Sequence, residues 1–139
     1  MRVGVVFFEN GSSGRKVRTI ADALAGGIEK QGHQVDVLDG FEPENKKVSF
    51  YDYICIGSIS RGVFSAKLVD NVASAVKNLG LVSGKRSYAF TVKRGIRSMK
   101  TLSLLMKIME EQGLYLKRSD VIKTAAEAEY IGRKLHITR

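Results

Sequence analysis

Apolar and polar positions follow two rhythms along this chain. Val3, Val5, Val6, Phe7 and Phe8 form an apolar run broken only by Gly4, the pattern of a strand covered on both faces. The spacing then changes to threes and fours. Val17, Ile20, Leu24 and Ile28 put one apolar stripe on a helix that ends at Gly32. Val35 and Val37, separated by Asp36, give a short second strand that stops near Asp39 and Gly40. Residues 41–50 are polar, hold Pro43, and read as an exposed connection. Residues 51–57 are a third strand, followed by a loop of small residues at 58–65. Leu68, Val69, Val72, Val76 and Leu79 predict a second helix, and Gly80 and Gly84 the connection after it. Residues 88–92 are a fourth strand, and a basic loop follows at 93–97. Leu102, Leu105, Met106 and Met109 predict a third helix that stops at Gly113. Met99, Met106 and Met109 read as helix-packing residues. Residues 114–123 are a fifth strand or a strand pair, and Ala128, Ile131 and Leu135 mark a last helix over 125–136.

Strands alternating with helices predict an α/β protein: a doubly wound, five-stranded parallel sheet in three layers. The 139 residues suffice for one domain with a real core. In such sheets ligands bind beyond the C-terminal strand ends. The loops there are 9–14, 39–50, 58–65 and 93–98.

The first of these loops carries the strongest local signal. Asn10-Gly11-Ser12-Ser13, with Gly14 behind it, follows a strand and opens a helix. Unpaired N–H groups and the helix dipole favour an anion at such a place, and the serine hydroxyls add donors. The same residues also suit a plain strand-to-helix turn with a serine cap. Arg15 and Lys16 oppose the dipole of the helix they open, unless an anion sits beside them.

Charge adds a second constraint. Lys and Arg number 23 against 14 Asp and Glu, for a net charge of +9. That predicts attraction to an anionic partner or ligand. Arg15, Lys16, Arg61, Lys93, Arg94 and Arg97 all fall near the expected site. Cys55 is the one cysteine, and with two separated histidines it makes a metal site unexpected. There is no leader pattern and no long apolar run, so the expectation is a cytoplasmic protein without a membrane span. No nucleophile–base constellation is visible, and none of Cys55, His33 and His136 is assigned a catalytic role.

These strands and loops resemble the flavodoxin-like family over most of the chain. The resemblance rests on residues 10–13 before the first helix and on Tyr53-Ile54-Cys55-Ile56-Gly57-Ser58. It implies strand order 2-1-3-4-5 and FMN as cofactor. Its phosphate would lie on Asn10, Gly11, Ser12, Ser13 and Gly14. Its ring would lie near Ser58, Ile59, Ser60, Arg61 and Gly62, and near Lys93, Arg94 and Gly95. The chain departs from the family pattern in two respects. Arg61 stands where an aromatic residue is common, leaving Phe64 as the nearby aromatic, and the charge is basic where electron-carrying flavodoxins are typically acidic. Residues 57–68 also resemble the corresponding loop of flavodoxin-like protoporphyrinogen oxidases, although 139 residues leave no room for the long insertion of those enzymes. The expected function is FMN-dependent redox chemistry, as carrier or enzyme, with an acidic redox protein or an anionic small molecule. The alternative is a module that kept the fold, lost FMN and docks an acidic protein. Nucleic-acid binding ranks last, for want of a motif or a stacking platform.

Overall fold

The computed structural model describes residues 1–11, 13–42, 48–80 and 82–138. The elements are β1 (Arg2–Phe7), α1 (Lys16–Glu29), β2 (Gln34–Asp39), β3 (Tyr53–Ser58), α2 (Val72–Lys77), β4 (Arg86–Val92), α3 (Ser98–Glu111), β5 (Tyr115–Ile122) and α4 (Ala125–Lys134). The five strands form one sheet in the order β2-β1-β3-β4-β5. Every neighbouring pair is parallel. This is the expected doubly wound α/β arrangement with the expected strand order.

Burial follows the patterning. All six residues of β3 are buried, as is β1 beyond Arg2, which suits strands covered on both faces. β2 sits at an edge and alternates exposed and half-buried positions. The chain moves one way along the sheet through α1 and the other way through α2 and α3, so right-handed crossovers place them on opposite faces. α4 returns to lie on α1. Gly27 and Gly132 make that contact possible: a Cβ on Gly27 would strike the Glu129 carbonyl, and one on Gly132 the Leu24 carbonyl. Lys30 pairs with Glu129 at 2.7 Å, and the Gln31 amide donates to the carbonyls of Gly132 and Leu135.

Three expectations change and one alternative is resolved. The second helix is short. Leu68 and Val69 are buried, but Leu68 forms an antiparallel bridge with Ser60, and the helix starts only after Asn71, whose φ is +69°. Burial alone accounts for apolar spacing that reads as helical in sequence. Residues 114–123 hold one strand, not a pair. The connection at 41–50 is not wholly exposed, because Val48 is completely buried in a short 3-10 helix (residues 43–47 lie outside the described residues). Tyr51 precedes β3 instead of joining it. Its ring packs on Gly4 and its hydroxyl donates to Asp36. Burial first, then Asp36, pushes that phenol up to about 12.

Candidate functional site at the C-terminal strand ends

The β1–α1 turn has an anion already in place, supplied by the chain itself. The backbone amides of Val17 and Arg18 both donate to Glu9 Oε2, at 3.0 and 3.2 Å. These are among the first amides of α1, which have no partner inside a helix. Glu9 therefore answers the unfavourable placement of Arg15 and Lys16. The rest of the turn closes on itself as well. The Ser13 hydroxyl donates to the Asn10 carbonyl at 2.9 Å and accepts from the Asn10 amide at 3.3 Å. The amides of Ser13, Gly14 and Lys16 donate to the carbonyls of Asn10, Gly11 and Ser13. Ser12 lies outside the described residues. Gly11 and Gly14 remain open, with nothing within 4 Å of where a Cβ would stand.

The loop after β3 turns its first three side chains inward. The Ser58 hydroxyl donates to the Phe8 carbonyl at 3.1 Å, Ile59 is fully buried, and the Ser60 hydroxyl donates to the Gly62 carbonyl at 2.9 Å. These three shape the loop, so a ligand would meet their backbone. Arg61 pairs with Asp70 at 2.5 Å and donates Nε to the Leu68 carbonyl. Gly62 is open.

The loop after β4 is tied to that loop. Arg94 Nη1 donates to the Ser60 carbonyl at 3.1 Å. Gly95 has φ +71° and lies so close to the Val63 carbonyl that a Cβ would strike it. The Lys93 amide donates to the Ile122 carbonyl and the Arg94 amide to the Ser98 hydroxyl.

Five of the six cations expected at one site divide between two hollows. Arg15, Lys16 and Lys93, joined by Lys123, line a hollow of about 440 Å³ between α1 and the start of α4. Arg61 and Arg97, joined by Lys67 and Lys100, line another of about 800 Å³ between residues 61–67 and α3. Arg94 ties the loops together between them. Sequence reasoning missed two features. Glu9 carries a signal, an acid directly after a buried strand and just before a basic helix start. Met99, expected to pack, is 68% exposed, beside Ile96 at 89%.

Among the described residues the site offers electrostatics and shape, with no activated nucleophile. Cys55 is buried, and desolvation pushes its thiol up. Among the described residues there is no group of three or more His, Cys, Asp or Glu suited to a metal, and no helix is long and apolar enough to cross a membrane.

No protein-family model matches this chain, and no curated protein matches it in sequence. Solved structures do match. Oxidised flavodoxin 1 from Bacillus cereus is 17% identical with a TM-score of 0.74, over 99% of this chain and 100% of that one. A flavodoxin from the domain Archaea is 19% identical with a TM-score of 0.73, over 97% of this chain and 96% of that one. Two-electron reduced Megasphaera elsdenii flavodoxin is 16% identical with a TM-score of 0.71, over 94% of this chain and 96% of that one. Such identities speak to architecture, and with the parallel 2-1-3-4-5 sheet they make this chain a flavodoxin-like α/β protein by fold.

Proposed function

We propose that this chain is an FMN-binding redox protein whose counterpart is an acidic redox protein or an anionic small molecule. The observation that carries the reading is the convergence of the three loops at the ends of β1, β3 and β4, where ligands bind in doubly wound sheets. The residues fit the group on one condition. Gly11, Gly14 and Gly62 leave open space, and Arg15, Lys16, Lys93 and Arg94 supply positive charge. A phosphate on the α1 amides requires Glu9 to give them up. Gly11, Ser13 and Gly14, with Asn10 and Ser12, would hold the phosphate. The backbone of residues 58–62 and 93–95 would border the ring. FMN would supply reversible electron uptake, and the chain would position it and favour negative charge beside it.

Titration of the purified protein with FMN and with riboflavin tests the reading. The expected result is saturable binding on the micromolar scale, about −8 kcal/mol, with FMN tighter than riboflavin. Gly11→Val puts a branched side chain into the cradle, where its Cβ meets nothing within 4 Å, and should weaken FMN about tenfold, or about 1.4 kcal/mol. A protein that ignores both ligands is not a flavoprotein.

One observation favours a second reading. Glu9 already holds the amides a phosphate would use, as suits a module that kept the fold and lost the flavin, docking an acidic partner through its basic end. That reading expects no chromophore and a salt-sensitive interaction.

A further inference from the structure

Beyond β3 and β4 the chain leaves apolar side chains uncovered. Nine large hydrophobic residues are exposed among the described residues, and five of them, Val63, Phe64, Ile96, Met99 and Leu104, cluster here. Phe64 and Ile96 are 87% and 89% exposed. The five line two hollows of about 800 and 430 Å³ that share Arg97 and Lys100. Single exposed hydrophobic residues need no explanation, but a contiguous group inside a polar rim marks an interaction surface.

The side chains lining the two hollows carry one sign of charge, although Arg61 at their edge is already paired with Asp70. Arg61, Lys67, Arg97 and Lys100 line the two hollows, and no Asp or Glu does. The surface is also held in shape. Thr101 donates its hydroxyl to the Ala66 carbonyl at 2.7 Å, fastening the β3 loop to α3. The Arg94–Ser60 hydrogen bond and the Gly95–Val63 contact fasten the same loop to the β4 loop. Little ordering is then left to oppose association.

We propose that this surface docks an acidic amphipathic segment of a partner protein. An apolar ridge of that segment would enter the hollow between residues 61–67 and α3, and its carboxylates would meet Arg97, Lys100 and Lys67. Apolar side chains at the centre and opposite charges at the rim divide the work as interfaces do: the centre holds, and the rim steers and selects. A concave hollow suits a side-chain ridge better than it suits a bilayer. The inference rests on the acidic-counterpart half of the proposed function and does not require flavin, although Arg61 and Gly62 line both this hollow and the border where a ring would lie.

The experiment uses the full chain and three probes: an 18-residue amphipathic helix with Leu on one face and Glu on the other, polyglutamate of equal length, and phosphatidylcholine vesicles with one quarter phosphatidylglycerol. Binding is followed by calorimetry and by methyl NMR of Ile96 and Met99. The amphipathic peptide should bind with shifts at those methyls and bind at least tenfold more tightly than polyglutamate. Phe64→Ser with Ile96→Ser should weaken it about tenfold, as should Arg97→Glu with Lys100→Glu, whereas the remote, exposed Tyr115→Ser should leave it unchanged. All of these positions are exposed, so a normal melting temperature confirms that each variant is folded. No peptide binding, equal binding of polyglutamate, shifts confined elsewhere, or vesicle binding that alone responds to the variants would each overturn the proposal. FMN affinity is a separate measurement, so a protein that binds the peptide but neither FMN nor riboflavin ends the flavin reading and keeps this one.

Discussion

The two sides of the strand-end surface are finished in opposite ways. On the α1 side the polar groups of the turn find partners within the chain: Glu9 holds the first amides of the helix and Ser13 closes its own turn, while further along the same helix α4 covers α1 through Gly27 and Gly132. On the α2 and α3 side the backbone is equally well tied, yet Phe64, Ile96 and Met99 face solvent amid cations. The first side resembles a finished interior, the second a surface whose covering comes from elsewhere. The lesson is that the loop that looks most like a ligand cradle in sequence is the more self-contained of the two.

The largest expected effect tests the helix pair that backs the sealed side, at its far end. Gly27→Val drives a branched side chain into the Glu129 carbonyl, and backbone cannot yield as a flexible side chain can. The α1–α4 contact should open, with a loss of roughly 3 kcal/mol or more in urea denaturation. The Cβ of Gly62→Val on the open side meets nothing within 4 Å, and the variant should stay within about 0.5 kcal/mol of the parent. Equal losses at the two positions would abolish the distinction.

Next comes the anion that the sealed side supplies for itself. Glu9→Gln removes the charge and keeps an acceptor near Val17 and Arg18. Stability should fall by about 0.5–1 kcal/mol, the usual worth of a carboxylate at a helix N-terminus. FMN affinity should rise about tenfold, because phosphate no longer competes with a carboxylate, while riboflavin affinity stays the same. Weaker FMN binding by the variant would mean that Glu9 supports the site, not that it competes there.

How much of this was legible in the sequence follows from which interactions are local. The five-stranded fold was readable because β1 and β3 are buried on both faces and α1 and α3 carry clean stripes. The start of α2 was not, since Leu68 and Val69 are buried by a bridge from Ser60 whose partner choice leaves no mark on apolar spacing. At the site, the loops and their charge were readable. Whether Arg61 faces a ligand or Asp70, and whether the α1 amides are free, depends on side-chain direction, which periodicity does not encode. Met99 shows the limit plainly: its sequence neighbours suit a packing residue, but it is exposed between the buried Ser98 and Thr101 in the first turn of α3.

The smallest expected effect lies at the opposite end of the strands and sharpens the contrast by its remoteness. His33 Nδ1 sits 3.1 Å from the Met1 ammonium, and burial, then that ammonium, lowers its pKa below the ordinary 6.5. The unfolded chain therefore binds a proton on His33 more readily than the folded chain does. Stability from this group is fully present above about 6.5 and is lost as the pH falls from there through the lowered folded value. His33→Gln keeps an acceptor for the ammonium without the titration. The variant should lose less melting temperature than the parent between pH 7.5 and pH 5. Binding at the strand ends should show the same pH profile in both proteins. An altered profile would mean that the two ends of the sheet are coupled, and the strand-end surface could no longer be treated as a unit of its own.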